Sequence, residues 1–163
     1  MLTHGLVHHD LAASPEDSRL SAPSLNDFGG TLYRQYGITG IRGEAEAGFP
    51  TVFLHGFPIL ENCLSSGCSE DEAGATALLH ILAHTTDTNM IRRSSLPFFL
   101  QKQAELRAFL ETHPGCISSG QILPLDQEYI ACNLSPGGSA DLLALCWFLH
   151  FLKEDLDHTA VIG

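Results

Sequence analysis

The sequence predicts an all-α domain, a compact bundle of about five or six helices with a buried C-terminal helix, and three observations lead there. Apolar residues recur at helical spacing through most of the chain beyond residue 24. Strand signals are weak: alternating runs are short, and Val, Ile and Thr are not gathered between turn residues. Helix punctuation, by contrast, is frequent, with capping serines, prolines suited to first turns and glycines at ends.

Residues 1–23 contain Ser14-Pro15 and Ala22-Pro23 and read as a loosely ordered leading segment. The all-α part takes up residues 24–163, beginning with a short helix from Ser24 to about Tyr36 that ends at Gly37. Residues 43–66 follow a helical apolar pattern broken by Pro50 and Pro58. Each proline removes a backbone donor, so a kink or a division into two pieces is expected. Ser69-Glu70-Asp71-Glu72 is a capping box, and it opens a helix whose apolar face carries Ala75, Leu78, Leu79, Leu82 and Thr85. A further helix spans about Leu96 to Glu111 and is stopped by Pro114-Gly115, and a shorter one covers Asp126 to Asn133. The last begins at Ser135-Pro136-Gly137-Gly138-Ser139, where the missing proline N–H would have been unpaired in any case. From Ala140 to Phe151 it is apolar nearly all round, the pattern of a buried central helix.

Composition narrows the function classes. With 44% hydrophobic and 17% charged residues, the 163-residue chain is globular in character and long enough for one core. No apolar run reaches membrane-spanning length, and the N-terminus lacks the basic and apolar regions of a secretory signal, so a cytoplasmic protein is expected. The five cysteines are an odd number without paired short spacing, which fits reduced thiols better than a disulfide framework or a zinc ribbon. The net charge is −11 with only eight Lys and Arg, and no basic stripe suits a nucleic-acid backbone. A protein so acidic would meet a polyphosphate through local arginines, backbone N–H groups and a divalent ion.

Three polar clusters interrupt the helical pattern. In the first, Arg42 stands between Gly40 and Gly43 and is followed by Glu44 and Glu46, two carboxylates placed to oppose the positive end of a helix dipole or simply to be solvated. The second contains His80, His84, Asp87, Asn89, Arg92 and Arg93. Residues 80, 84 and 87 share a helical face and could hold a transition metal, or Asp87 and Asn89 could be local caps. Hard oxygen ligands followed closely by arginines also suit Mg²⁺ and phosphate. In the third, Gly137, Gly138 and Ser139 could leave N–H groups free for an anion, and Asp141, one turn into an apolar helix, is a carboxylate in need of a partner.

In order, the strings Thr39-Gly40-Ile41-Arg42-Gly43-Glu44-Ala45-Glu46-Ala47-Gly48-Phe49, Asp87-Thr88-Asn89 and Ser135-Pro136-Gly137-Gly138-Ser139-Ala140-Asp141-Leu142-Leu143-Ala144 resemble the C-terminal motifs of the triphosphoribosyl-dephospho-CoA synthase family, over about Tyr33 to Leu152. The resemblance implies transfer of the triphosphoribosyl group of ATP to 3′-dephospho-CoA, with attack of a ribose 2′-hydroxyl on C1′ and release of adenine. It implies Arg42, Gly43, Arg92, Gly137, Gly138 and Ser139 as substrate- and phosphate-binding residues, Asp141, Glu44 and Glu46 as catalytic acids or bases, and Asp87 and Asn89 as Mg²⁺ ligands. Two departures stand out. Family members carry Arg-Gly-Gly after the Asp-Thr-Asn turn, where this chain has Arg92-Arg93-Ser94-Ser95, and they are nearly twice as long. The chain therefore reads as a C-terminal half whose partner is a separate N-terminal half or a second copy. Two other classes remain open at this point: a non-catalytic helical module, and a metal-dependent hydrolase built on His80, His84 and Asp87.

Overall fold

The computed structural model describes residues 28–162, with side chains through residue 159, and within them the fold is all-α. The expected loose segment 1–23 and the helix start at Ser24 lie outside the described residues. Helix α1 spans Phe28–Tyr36 and α2 spans Ile41–Glu46, and a π turn, Val52–Gly56, runs directly into α3, Phe57–Ser65. Then follow α4 (Glu70–His84), α5 (Thr88–Arg93), α6 (Leu96–Thr112), α7 (Ser119–Ala131) and α8 (Gly137–Ile162). The described residues thus divide into more pieces than five or six. α5 is a six-residue helix, and α7 starts seven residues before the expected Asp126.

Local chemistry accounts for these boundaries. The break expected between residues 43 and 66 falls at Ala47–Phe49, where Phe49 takes a left-handed conformation (φ 58°). Pro58, by contrast, is absorbed without a break. It has no N–H to give, and just before it the ladder slips, with Phe57 N–H reaching back five residues to the Val52 carbonyl. Ser69 caps α4 by accepting from Glu72 N–H at 3.3 Å, and Ser95 caps α6 by accepting from Phe98 N–H. At α7, Ser118 and Gln121 form a second capping box, which sets the helix start despite Gly120 and Pro124.

The core lies on both sides of α4. Leu79, Leu82 and Ala83 join Leu32, Met90, Ile91, Phe99 and Leu106 in one cluster, while Ala73, Ala77 and Ile81 join Val52, Leu60, Leu142 and Cys146 in another. The central helix is therefore α4 and not α8. Its small residues let neighbours approach from both sides, yet they carry little of the hydropathy that marks a buried helix in sequence. α8 buries Leu142 and Cys146 but leaves Phe148 and Phe151 more than half exposed. Packing across this second cluster is tight. A Cβ on Gly56 would stand 2.7 Å from Cys146 Sγ and 2.9 Å from Ile81 Cδ1, so the π turn rests directly against α4 and α8.

Candidate functional site

The end of α4 is fixed before any functional group is placed. Its last carbonyls, which have no partner within the helix, are met from α6: Gln103 Nε2 donates to Leu82 O and Thr85 O, and Arg107 Nε to Ala83 O at 2.7 Å. The chain leaves α4 in a defined direction and reaches Asp87, which is 2% exposed. Asp87 Oδ1 accepts from the N–H groups of Asn89 and Met90, capping α5. Its Oδ2 accepts from the N–H and hydroxyl of Ser139, at 2.8 and 2.9 Å, in the first turn of α8. One carboxylate thus joins the starts of α5 and α8, with Asp87 and Ser139 52 residues apart in sequence.

Glycines bring the three polar strings together at this junction. Gly40, with φ +58°, lies against Thr88, where a Cβ would stand 2.8 Å from Thr88 Cγ2. A Cβ on Gly137 would stand 2.5 Å from Asn89 Nδ2, whereas Gly138 faces Asp87 at ordinary contact distance. A small cleft between them is lined by Ile41, Thr85, Thr86, Asp87, Thr88, Gly138 and Leu142.

Several sequence-based roles change in this geometry. Four donors fill the lone-pair positions of Asp87, so it is a cap and does not fit a metal ligand. Ser139 is fully buried and turned to Asp87, so the anion at the start of α8 is the protein's own. Glu44 accepts from both the N–H and the hydroxyl of buried Thr51, at 3.1 and 2.6 Å, and holds the start of the helix that contains the π turn. Asp141 is exposed, contrary to the expectation of a buried carboxylate, because the first turns of α8 bury only the face carrying Ser139 and Leu142. Glu46 and Asn89 are exposed, and Gly43 packs on Thr39. His80, His84 and Asp87 do not converge, and among the described residues no group of three His, Cys, Asp or Glu is placed to hold a metal.

The arginines behave differently. Lys102 pairs with Glu105 and Glu128, and Lys153 with Glu61, while Arg107 serves the end of α4. Arg42, Arg92 and Arg93 are exposed and make no ion pair among the described residues. They belong to α2 and α5, two of the three helices that meet at the cleft.

Beside the junction, His80 and His84 are joined by a third imidazole, His55, that periodicity did not reveal. His84 stacks on His55 of the π turn, with centroids 3.5 Å apart and ring planes within 9°, and its Nδ1 lies 2.8 Å from the His80 carbonyl. Burial, then the neighbouring imidazoles, lowers the pKa of His80 below its ordinary 6.5. His55 is lowered by burial and His84, partly offset by Glu44. As pH falls through 6.5, the unfolded chain therefore takes up protons that the folded chain resists, and stability drops. Glu61, Glu72 and Glu105, lowered from 4.5 by their hydrogen-bond partners, add their loss only as pH falls below 4.5. Denaturant unfolding between about pH 7 and 5 should show this decline. His80→Gln should flatten it, whereas an unchanged slope in that variant would assign the effect to other groups.

The fold and the site together define an acidic all-α bundle whose exposed Arg42, Arg92 and Arg93 sit on two of the three helices that meet at a cleft. The chain belongs to the CitG family, ATP:dephospho-CoA triphosphoribosyl transferase, whose family model matches residues 1–160. It is 39% identical over 150 residues to a probable 2-(5''-triphosphoribosyl)-3'-dephosphocoenzyme-A synthase of Albidiferax ferrireducens, covering 91% of this chain and 50% of that one. It is 37% identical over 142 residues to the synthase of Pectobacterium atrosepticum (87% and 45%) and 42% identical over 129 residues to that of Escherichia fergusonii (76% and 42%). The chain spans about half the length of the curated relatives it matches. No solved structure matches it.

Proposed function

We propose that the chain forms part of a transferase that makes 2'-(5''-triphosphoribosyl)-3'-dephospho-CoA from ATP and 3'-dephospho-CoA with release of adenine. The observation that carries this reading is the placement of Arg42, Arg92 and Arg93, which make no ion pair among the described residues of a protein of net charge −11 and sit on helices that meet at one cleft. A triphosphate needs that positive charge, and arginine meets phosphate oxygens two at a time. Glu44 and Asp87 hold the scaffold, which leaves Glu46 and Asp141 as the open carboxylates for a general base. Mg²⁺ would reach the site on the nucleotide phosphates. Glu46 and Asn89 would hold it there, and it would supply neutralisation of phosphate charge. The rest of the pocket would come from the half of the family chain that these residues do not span.

The test mixes the chain with ATP, 3'-dephospho-CoA and Mg²⁺, with and without the complementary half of the Pectobacterium atrosepticum relative, and follows adenine by chromatography. Adenine release that needs both halves and stops with EDTA is the expected result. Failure to form adenine in any combination would sink the reading. One observation favours a second reading, a non-catalytic helical module: two motif carboxylates, Asp87 and Glu44, hold helix starts together through their hydrogen bonds. That module would bind no ATP whether Mg²⁺ is present or not.

A further inference from the structure

α8 is apolar on two opposite faces, but the described residues cover only one of them. Leu142 and Cys146 face the bundle and are buried, and His150 and Lys153 meet Glu61 of α3. On the opposite side, Ala144, Phe148, Phe151 and Leu152 follow one another at helical spacing, a stripe along one face. Phe148 is 60%, Phe151 53% and Leu152 43% exposed. The surface goes on into the π turn that packs on α8, where Phe53 and Leu54 are 52% and 69% exposed. So long a run of large apolar side chains at a surface marks a site that another polypeptide covers.

We propose that this face of α8 is the seat of a helix from the half of the family chain that these residues do not span, carrying apolar residues together with Lys or Arg. Three observations choose this occupant. The relatives are about twice as long as the chain, so family chain that these residues do not span is there to cover it. The stripe has helical spacing over more than one turn, which matches a helix laid along it and not an extended strand. The same side is acidic: Asp155 lies within the stripe, four residues on from Phe151, and Glu154 lies beside it, both exposed, while Lys153 is turned to Glu61. Two copies meeting here would set these acids, and two chains of net charge −11, against each other, whereas a basic partner would complement them. The inference deepens the reading above by locating the second half, and its test uses no turnover, so either can fail alone.

The test compares the wild-type chain with the triple variant Phe148→Ser, Phe151→Ser, Leu152→Ser. Alone, the variant should keep its helix content and melt within a few degrees of wild type, because among the described residues these side chains stay largely exposed and Phe151 touches only Trp147 and His150 of its own helix. It should also bind a fluorescent apolar dye several-fold less. A large fall in melting temperature would show that the face already packs internally and would overturn the proposal. Sedimentation should find the lone wild-type chain mainly monomeric; a dimer abolished by the triple variant would replace the proposed occupant with a second copy. Co-expressed with the tagged complementary half of the Pectobacterium atrosepticum relative, the wild-type chain should co-purify at equal stoichiometry and the variant should not. Absence of a complex with wild type, or an undiminished complex with the variant, overturns the assignment.

Discussion

Asp87→Ala is expected to lower the melting temperature by about 10 °C, the largest stability effect of any single substitution in the cleft. The side chain is 2% exposed, so water cannot replace it. Its removal leaves the N–H groups of Asn89, Met90 and Ser139 and the Ser139 hydroxyl without their acceptor. A lost cap costs about 1 kcal/mol, and hydrogen bonds to a charged group are worth roughly 1.5–3 kcal/mol each. Because one side chain makes all four bonds, these terms do not add in full, and about 3–4 kcal/mol is expected. In a protein of this size 1 kcal/mol moves Tm by about 2–4 °C. Ser139→Ala separates the two halves of the junction. It removes only the hydroxyl and leaves the backbone donor on Oδ2, so its cost should be nearer 1 kcal/mol. Asp87→Asn keeps an acceptor for α5 but turns an amide NH₂ toward two donors of Ser139, and should fall between them. Thermal melts by circular dichroism decide the order; an alanine variant melting within about 2 °C of wild type would mean that the junction does not hold the helices together.

That junction also shows how far the sequence could be read. Capping residues were legible because their chemistry is local: Ser69 with Glu72 and the Pro114-Gly115 stop both fall where expected. The early start of α7 was hidden by Gly120 and Pro124, two residues that speak against a helix and are outweighed by the Ser118–Gln121 box. The π turn was hidden as well, since a proline predicts a missing donor but not how the ladder closes around it. Burial of α4 escaped notice because Ala73, Gly74, Ala77 and Ala83 gain their burial from close neighbours and not from their own hydropathy. At the site, the three polar strings stood out as interruptions, but their meeting depends on contacts across 52 residues and on close approach at Gly40 and Gly137. Sequence could not separate carboxylates that build the scaffold from those left open. Asp87 and Asp141 look alike as letters, and only packing tells that the first is enclosed and the second exposed. His55 carried no signal, because its partner His84 lies on another helix.

Arg42→Ala should have the opposite profile, nearly silent in stability and severe in turnover. Arg42 is exposed and makes no ion pair among the described residues, and exposed positions of this kind change stability by about 0.5 kcal/mol or less. Its position is nonetheless tightly set. The preceding Ile41 lines the cleft, Gly40 presses on Thr88, and Gly43 packs on Thr39. In a protein with eight Lys and Arg against nineteen Asp and Glu, an exposed arginine held this firmly is a costly place to lose positive charge. If it meets the triphosphate as the charge shifts during transfer, removing one such donor should cost about 10²–10³-fold in kcat. Arg42→Lys should recover only part of that loss, because an ammonium keeps the charge but not the paired donors of the guanidinium. Adenine release at saturating ATP, with the complementary half present, gives the comparison, and the melting temperature of each variant serves as its control. If Arg42→Ala turned over within about threefold of wild type, Arg42 would be a solvated residue of a helix start, and phosphate recognition would pass to Arg92 and Arg93.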